Sequence, residues 1–240
     1  MERKEDMNAL VVVPTYNEHD NLPVLVQGVL AHPGFRMLVV DDGSPDGTGA
    51  IADRLAAENP GRIEVMHRTG PRGLGRSYVD GLQHALRTDA ELIFQMDADL
   101  SHSPEYLPAL AAAAETHDVV IGSRYLQGVS VVNWPLHRIF LSTFANRYIK
   151  TVTGLSPSDC TSGYRCWRRD ALAKIPLGRV ASAGYAFLVE MLFRAARNGS
   201  RIGEVPIIFI ERRQGESKVS TPVLLESLIT PWRLLFRRPR

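Results

Sequence analysis

Leu10-Val11-Val12-Val13-Pro14-Thr15-Tyr16-Asn17-Glu18 and Val39-Val40-Asp41-Asp42-Gly43-Ser44-Pro45-Asp46-Gly47-Thr48 decide the fold. Each is an apolar run that ends in a polar loop, and each is followed by a segment of helical period. Continuous apolar runs of this kind read as strands covered on both faces, joined by crossover helices in a parallel sheet. Working outward, strands are expected at residues 10–13, 37–40, 63–67, 92–96 and 119–121, with helices at 21–30, 47–58, 75–86 and 105–115. The helix at 47–58 follows a stretch dense in capping and turn residues. The alternation predicts an α/β fold with a mostly parallel central sheet flanked by helices. Beyond a break expected at Gly122 it weakens. A long amphipathic helix is expected at 131–152, a polar loop at 156–164, a helix at 186–198, strand material at 202–210 and a charged loop at 211–218.

At 240 residues and 45% apolar, the chain can bury one large core. Its 28 basic and 26 acidic residues nearly cancel to +2, so charge gives no reason to invoke nucleic acid. Cys160 and Cys166 fit neither a disulfide framework nor a zinc site, which suits a reducing, cytosolic setting. The charged amino terminus does not read as a secretory signal, and no apolar run reaches the ~18–20 residues of a membrane-spanning helix. Any membrane contact is therefore expected at the surface. Arg233, Arg237, Arg238 and Arg240, with no acid among them, make the carboxyl end a candidate for an anionic surface.

Three loops carry chemistry. Asp97-Ala98-Asp99 follows an apolar strand at the end where open α/β sheets bind ligands. Carboxylates so close repel unless a cation or proton lies between them, and oxygen ligands of this kind suit Mg²⁺ or Mn²⁺. A solvated loop accounts for such a tripeptide taken alone. The acids of residues 41–48 can accept hydrogen bonds from ribose hydroxyls or base N–H groups, although a turn and helix cap explain Ser44 to Thr48 nearly as well. Residues 14–18 add a ring, Tyr16, and a carboxylate, Glu18. The first strand is not followed by GxGxxG, which sets aside a nicotinamide-dependent oxidoreductase.

In order along the chain, PTYNE (14–18), VVDDGSPDGT (39–48), GLG (73–75), MDADLSH (96–102), GSRY (122–125) and IERRQGESK (210–218) resemble the family 2 glycosyltransferases, most nearly the polyprenol (dolichol) phosphate mannosyltransferases. The resemblance covers residues 10–220. It implies a Rossmann-like GT-A fold, a GDP-mannose donor, Mg²⁺ or Mn²⁺, and a polyprenyl phosphate acceptor. By matching positions it places Pro14, Tyr16, Glu18, Val40 and Asp42 at the nucleoside, and Asp97, Ala98 and Asp99 at the metal and diphosphate. Ser101 stands where some relatives carry Gln as a metal ligand. Arg124, Arg212 and Lys218 match basic positions facing the donor phosphates, and Asp159 matches a loop that either orients substrate or stabilises a turn.

Catalysis of such a transfer falls to Asp99, Arg124, Arg138 and Ser142. Arg138 and Ser142, one helical turn apart, could grip the acceptor phosphate, or Arg138 could simply flank an apolar stripe. Glu190 either contacts the sugar or pairs with Arg194. Phe140, Phe144 and Tyr148 recur every four residues, a stripe explained by default as core packing and alternatively by the acceptor's lipid tail. Residues 1–220 are expected as the catalytic domain and 221–240 as an amphipathic, basic segment lying peripherally on the cytoplasmic face of a membrane, started by Pro222 and bent by Pro231. Relatives with spanning segments leave room for a separate membrane-anchoring domain or protein. Two rival readings stand beside this one: a UDP-glucose-dependent polyprenyl phosphate glucosyltransferase, and a non-catalytic nucleotide-sugar-binding module.

Overall fold

The computed structural model describes residues 7–180, 182, 184–211 and 221–236. Along the chain run β1 (Ala9–Thr15), α1 (Asn21–Leu30), β2 (Phe35–Asp41), α2 (Thr48–Glu58), β3 (Ile63–His67), α3 (Leu74–Ala85), β4 (Leu92–Gln95) and α4 (Leu107–Ala113). Then come β5 (Val119–Ser123), β6 (Val131–Val132), α5 (Leu136–Thr153), β7 (Arg165–Arg168), α6 (Arg169–Ala173), α7 (Gly184–Arg197), β8 (Ile202–Pro206), β9 (Phe209–Ile210) and α8 (Thr221–Phe236). A seven-stranded sheet has the order β3-β2-β1-β4-β7-β5-β8, and β6 pairs with β9 in a small second sheet. Only β7 runs against its neighbours β4 and β5; the other pairs of the large sheet are parallel.

Both faces of the sheet are covered, because alternate residues of a strand point to opposite sides. Leu10 and Val12 of β1 join Tyr78, Leu82 and Phe187 on one side. Ala9, Val11 and Val13 join Leu22, Leu25 and Leu110 on the other. Helix α3 lies so close to the sheet that a Cβ on Gly81 would come within 2.5 Å of a Val12 methyl and 2.9 Å of a Val40 methyl.

Two expectations need correction, and one strand appears where none was expected. The fifth strand does not break at Gly122: β5 continues to Ser123, held by β8, with Ser123 opposite Pro206. Val131 and Val132 are strand, not the start of a helix, because they pair with Phe209 and Ile210. Asn133, at φ 65°, and the extended Pro135 then turn the chain into α5. Strand β7 begins just past the polar loop expected at 156–164, where no strand was expected. Its Arg165 is fully buried and donates to the carbonyls of Ser162, Leu188 and Cys160 at 2.9, 2.7 and 3.1 Å. Burial pulls this guanidinium down to about 10, still charged at neutral pH. Trp167, also buried, donates its indole N–H to Gln95 Oε1 at 2.7 Å.

Core packing explains only part of the aromatic stripe of α5: Tyr148 packs against the core, whereas Phe140 and Phe144 stand out from it. Leu136, Phe140 and Phe144 are 73, 72 and 64% exposed. The residues this helix buries are Asn146 and Ile149. Helix α8 packs on α5 and α7, with Leu234 in the core and Trp232 and Phe236 exposed. No helix among the described residues is long and apolar enough to cross a membrane.

The closeness of α3 gives a test. Gly81→Ala should overpack the seam and cost roughly 1–3 kcal/mol, despite alanine's better helix propensity. The thermal midpoint should fall by several degrees; a midpoint at or above wild type would mean that α3 can lift off the sheet without penalty.

Candidate active site

The strand order reverses between β1 and β4: β2 and β3 extend to one side of β1, and β4 begins the other. Open α/β sheets bind ligands outside the carboxyl ends of strands at such a point. The loops after β1, β2, β3, β4 and β5 all leave from that edge. Because β7 is antiparallel, the loop before it, residues 156–164, arrives there too.

The first two loops brace each other. Asp41 accepts from the Thr15 hydroxyl at 3.2 Å and the Ser44 hydroxyl at 2.5 Å, and the Asn17 N–H donates to Ser44 Oγ at 3.2 Å. Asp46 accepts from the Thr48 hydroxyl and N–H and from the His19 N–H. Burial would raise the Asp46 carboxyl, but those hydrogen bonds outweigh it and hold the group below the usual range. Val40 is wholly buried, its side chain in the core under α3, and Pro14 is buried beside it. Tyr16 and Glu18 are half-buried at the rim.

Sequence reasoning passed over the β3 loop, and it supplies two cations. Arg68 pairs with Asp42 and, at 2.7 Å, with Asp80, while the Gly73 N–H donates to the other Asp42 oxygen at 2.8 Å. Arg72 donates to the Tyr16 hydroxyl at 2.8 Å. Asp42 is thus held rigidly, with its charge compensated before any ligand arrives.

Asp97 and Asp99 leave the end of β4. The Tyr78 hydroxyl, from the buried face of α3, donates to Asp97 Oδ1 at 2.7 Å. Burial first, and the Asp97 charge second, push the Tyr78 phenol well above its ordinary value, so it stays a neutral donor. The Asp97 N–H donates to His102 Nδ1 at 3.1 Å, and that ring stacks on Tyr164 with centroids 5.0 Å apart. Asp99 Oδ1 accepts from the Ser101 hydroxyl at 2.5 Å and its N–H at 3.1 Å. Between them Leu100 sits at φ 61°, a conformation a branched residue holds only when its neighbours fix it. Gly163 lies alongside, where an added Cβ would be in van der Waals contact with Asp97 Oδ2 at 3.4 Å.

Among the described residues no group of three or more His, Cys, Asp or Glu side chains is arranged to hold a metal ion. The donor set here is instead two carboxylates on one loop. That fits a hard cation which takes most of its ligands from water and substrate phosphate, and does not fit a closed protein cage.

Arg124, at the end of β5, is 7% exposed and meets Asp159 from the loop before β7. Its Nε and Nη2 lie 2.6 and 2.7 Å from the two carboxylate oxygens, its backbone N–H donates to the same group at 3.1 Å, and Thr161 accepts at 2.8 Å. Burial alone would raise Asp159; the Arg124 charge and the hydrogen bonds from Arg124 and Thr161 outweigh it and hold the carboxyl below the usual range. Asp159 therefore anchors Arg124. Arg138 is ion-paired with Glu211 and lies 4.1 Å from the Trp134 ring centroid. Ser142 accepts from the Tyr125 hydroxyl at 2.7 Å. Glu190 is buried and paired with Arg194 at 2.6 Å. Arg212 and Lys218 lie outside the described residues.

A doubly wound sheet with ordered acidic and basic loops at its switch point has the architecture of ligand-binding α/β proteins. Residues 10–176 match the model of glycosyl transferase family 2. The chain belongs to that family. It is 46% identical over 235 residues to the polyprenol monophosphomannose synthase of Mycolicibacterium smegmatis, covering 96% of this chain and 89% of that protein. It is likewise 46% identical over 234 residues to the undecaprenyl-phosphate mannosyltransferase of Micrococcus luteus, covering 96% of each. Among solved structures, glucosyl-3-phosphoglycerate synthase from Mycobacterium tuberculosis, in complex with Mn²⁺, UDP and phosphoglyceric acid, superposes with a TM-score of 0.72 at 16% identity, over 98% of this chain and 80% of that one. The fold is accordingly GT-A, as the sequence led one to expect.

The Arg124–Asp159 pair yields a stability prediction. Asp159→Asn strands a buried guanidinium and should cost about 3–5 kcal/mol. A carboxyl depressed in the folded state stabilises above its unfolded pKa, about 3.9, and loses that contribution as pH falls through the lower folded value. The gap between wild type and variant, measured by denaturant unfolding, should stay level from pH 8 to 5 and shrink only in stronger acid. A gap that closes near pH 6 would contradict the assignment.

Proposed function

We propose that this glycosyltransferase moves mannose from GDP-mannose to the phosphate of a polyprenyl phosphate, with inversion, giving a polyprenyl β-mannosyl phosphate and GDP. One juxtaposition carries the reading. Arg138 and Ser142, a cation and a hydroxyl suited to a phosphate, share α5 with the exposed Leu136, Phe140 and Phe144. An acceptor with an anionic head and an apolar tail matches both halves of that helix, and the names of the two relatives at 46% identity point to the same acceptor class.

In this reading Tyr16, Glu18 and Asp42, with the backbone of Pro14 and Val40, receive the nucleoside. Asp97 and Asp99, with Ala98 between them, face the diphosphate, Asp97 steadied by Tyr78 and His102 and Asp99 by Ser101. A bound Mg²⁺ or Mn²⁺ would neutralise charge developing on the departing diphosphate. Arg212 and Lys218, by their place in the sequence, add to that neutralisation, and Arg124 does so from its fixed position. The acceptor is a phosphate monoester with a second pKa of about 6, so its oxygen is already anionic and needs positioning more than a general base. Attack from the face opposite the diphosphate inverts the anomeric carbon without a covalent enzyme intermediate. Residues 1–220 form the catalytic unit, and 221–240 joins α5 in resting on the cytoplasmic face of a bilayer.

The decisive measurement is transfer of labelled sugar from GDP-mannose, and in parallel from UDP-glucose, to a polyprenyl phosphate with Mg²⁺ or Mn²⁺ and with EDTA. Labelling from GDP-mannose that EDTA abolishes is expected, with Asp99→Ala lowering kcat about 100-fold or more. Labelling from UDP-glucose alone would reassign the donor. No labelling from either, in a preparation that binds nucleotide, would remove the lipid-phosphate acceptor.

The apolar face has its own test. Replacing Phe140 and Phe144 together by Ser should weaken co-sedimentation with anionic phospholipid vesicles while leaving the thermal midpoint within a few degrees, since neither ring is packed in the core. Equal vesicle binding by the variant would place the membrane contact elsewhere.

A further inference from the structure

The two ion pairs beside the acceptor helix differ in how firmly they are closed. Arg124 and Asp159 have side-chain exposures of 9 and 0%, with four hydrogen bonds between Arg124 and its partners Asp159 and Thr161. Arg138 and Glu211 stand at 26 and 25%. Opening the first strands buried charge, at a cost that makes it a fixture. Opening the second admits water to groups already partly wet, which costs little.

Glu211 is also placed to let go without unfolding anything. Its own N–H donates to the Val132 carbonyl at 3.2 Å, extending the β6–β9 ladder, so its backbone is fixed while its side chain alone reaches Arg138. The guanidinium, for its part, also lies 4.1 Å from the Trp134 ring centroid, a second contact besides the carboxylate. Around this pair the helix exposes Leu136 and Phe140. A bare cation facing an apolar medium is unfavourable, and a neutralised one is far less so.

We propose that Glu211 is a placeholder anion for the acceptor site. It neutralises Arg138 while the site is empty, and the phosphate of an incoming prenyl phosphate displaces it and takes its place on the guanidinium. A dianionic phosphate that exchanges for a monoanionic carboxylate wins the contest for Arg138. Glu211 thereby sets the affinity threshold for acceptors. This inference rests on reading Arg138 as the acceptor-phosphate residue.

The test compares the full chain with Glu211→Gln, Glu211→Asp, Arg138→Ala and the Arg138→Ala/Glu211→Gln double variant, by calorimetric titration with farnesyl phosphate and by steady-state transfer to polyprenyl phosphate. Glu211→Gln should tighten farnesyl phosphate binding and lower the acceptor KM about two- to five-fold, the release of one partly exposed ion pair. Glu211→Asp should lie near wild type, and the Gln substitution should have no effect once Arg138 is Ala. Glu211→Ala, which also loses the carboxylate, must move the same way as Gln and decides the matter if the Gln variant does not fold. Weaker or equal binding in both overturns the placeholder. If Arg138→Ala binds farnesyl phosphate as wild type does, the acceptor assignment itself fails, and the titration separates that outcome from failure of the placeholder alone.

Discussion

Arg124 and Asp159 are both withdrawn from water, and neither could be so without the other. Their pairing joins the end of β5 to the loop before β7, thirty-five residues on. From there hydrogen bonds spread outward. Glu204 of β8 accepts the N–H groups of Ser158 and Asp159 at 2.8 and 3.1 Å. Asn146 of α5 accepts the Cys160 N–H at 2.8 Å and donates to Thr161 at 3.2 Å. Helix α5 is therefore fastened to the body through a polar seam centred on Asn146. Leu136, Phe140 and Phe144 face outward, while Ile149 on the other side of the helix packs in the core.

The strands that the sequence announces are those whose every residue is covered. β1 and β2 are continuous apolar runs because helices lie on both of their faces. β7 escapes that logic: four residues long, two of them arginine, it offers no run and no period. Arg165 belongs in the core only because three carbonyls converge on its guanidinium, and those carbonyls come from a loop and from α7, which local pattern does not reveal. β6 escapes for a related reason. Two valines in a helix-like context become strand through a partner seventy-eight residues away. Helix periodicity carried the middle of α5 and failed at its start, where the competing pairing won.

At the rim, the acids could be read because they sit within a few residues of their strand ends. What steadies them could not. Tyr78 reads as one more buried-face residue of α3, and nothing beside it in sequence points to Asp97, nineteen positions later. Arg68 and Arg72 look like solvated charges of a turn, since Asp42 and Tyr16 meet them only after β1, β2 and β3 align their ends. Asp159 had two local readings, substrate contact and turn support. The structure bears out the second, with the Thr161 N–H donating to Asp159 Oδ1 at 3.2 Å, and adds a third, a counter-charge for Arg124; partner residues in distant loops are what single-sequence reasoning sees least.

Helix α8 shows how the outward apolar surface is kept from collapsing onto itself. Pro231 has no N–H to give, which frees a carbonyl one turn back and weakens the helix there. Tyr148 of α5 donates its hydroxyl to the neighbouring Leu228 carbonyl at 2.8 Å and accepts the Trp232 indole N–H at 2.7 Å. That clamp satisfies the polar tip of Trp232 within the protein while its ring stays 48% exposed, stacked beside Phe236. Had α8 docked through its aromatics, the same residues would have been spent on the seam. Because the clamp is polar, Phe140 and Phe144 on one helix and Trp232 and Phe236 on the other all remain exposed.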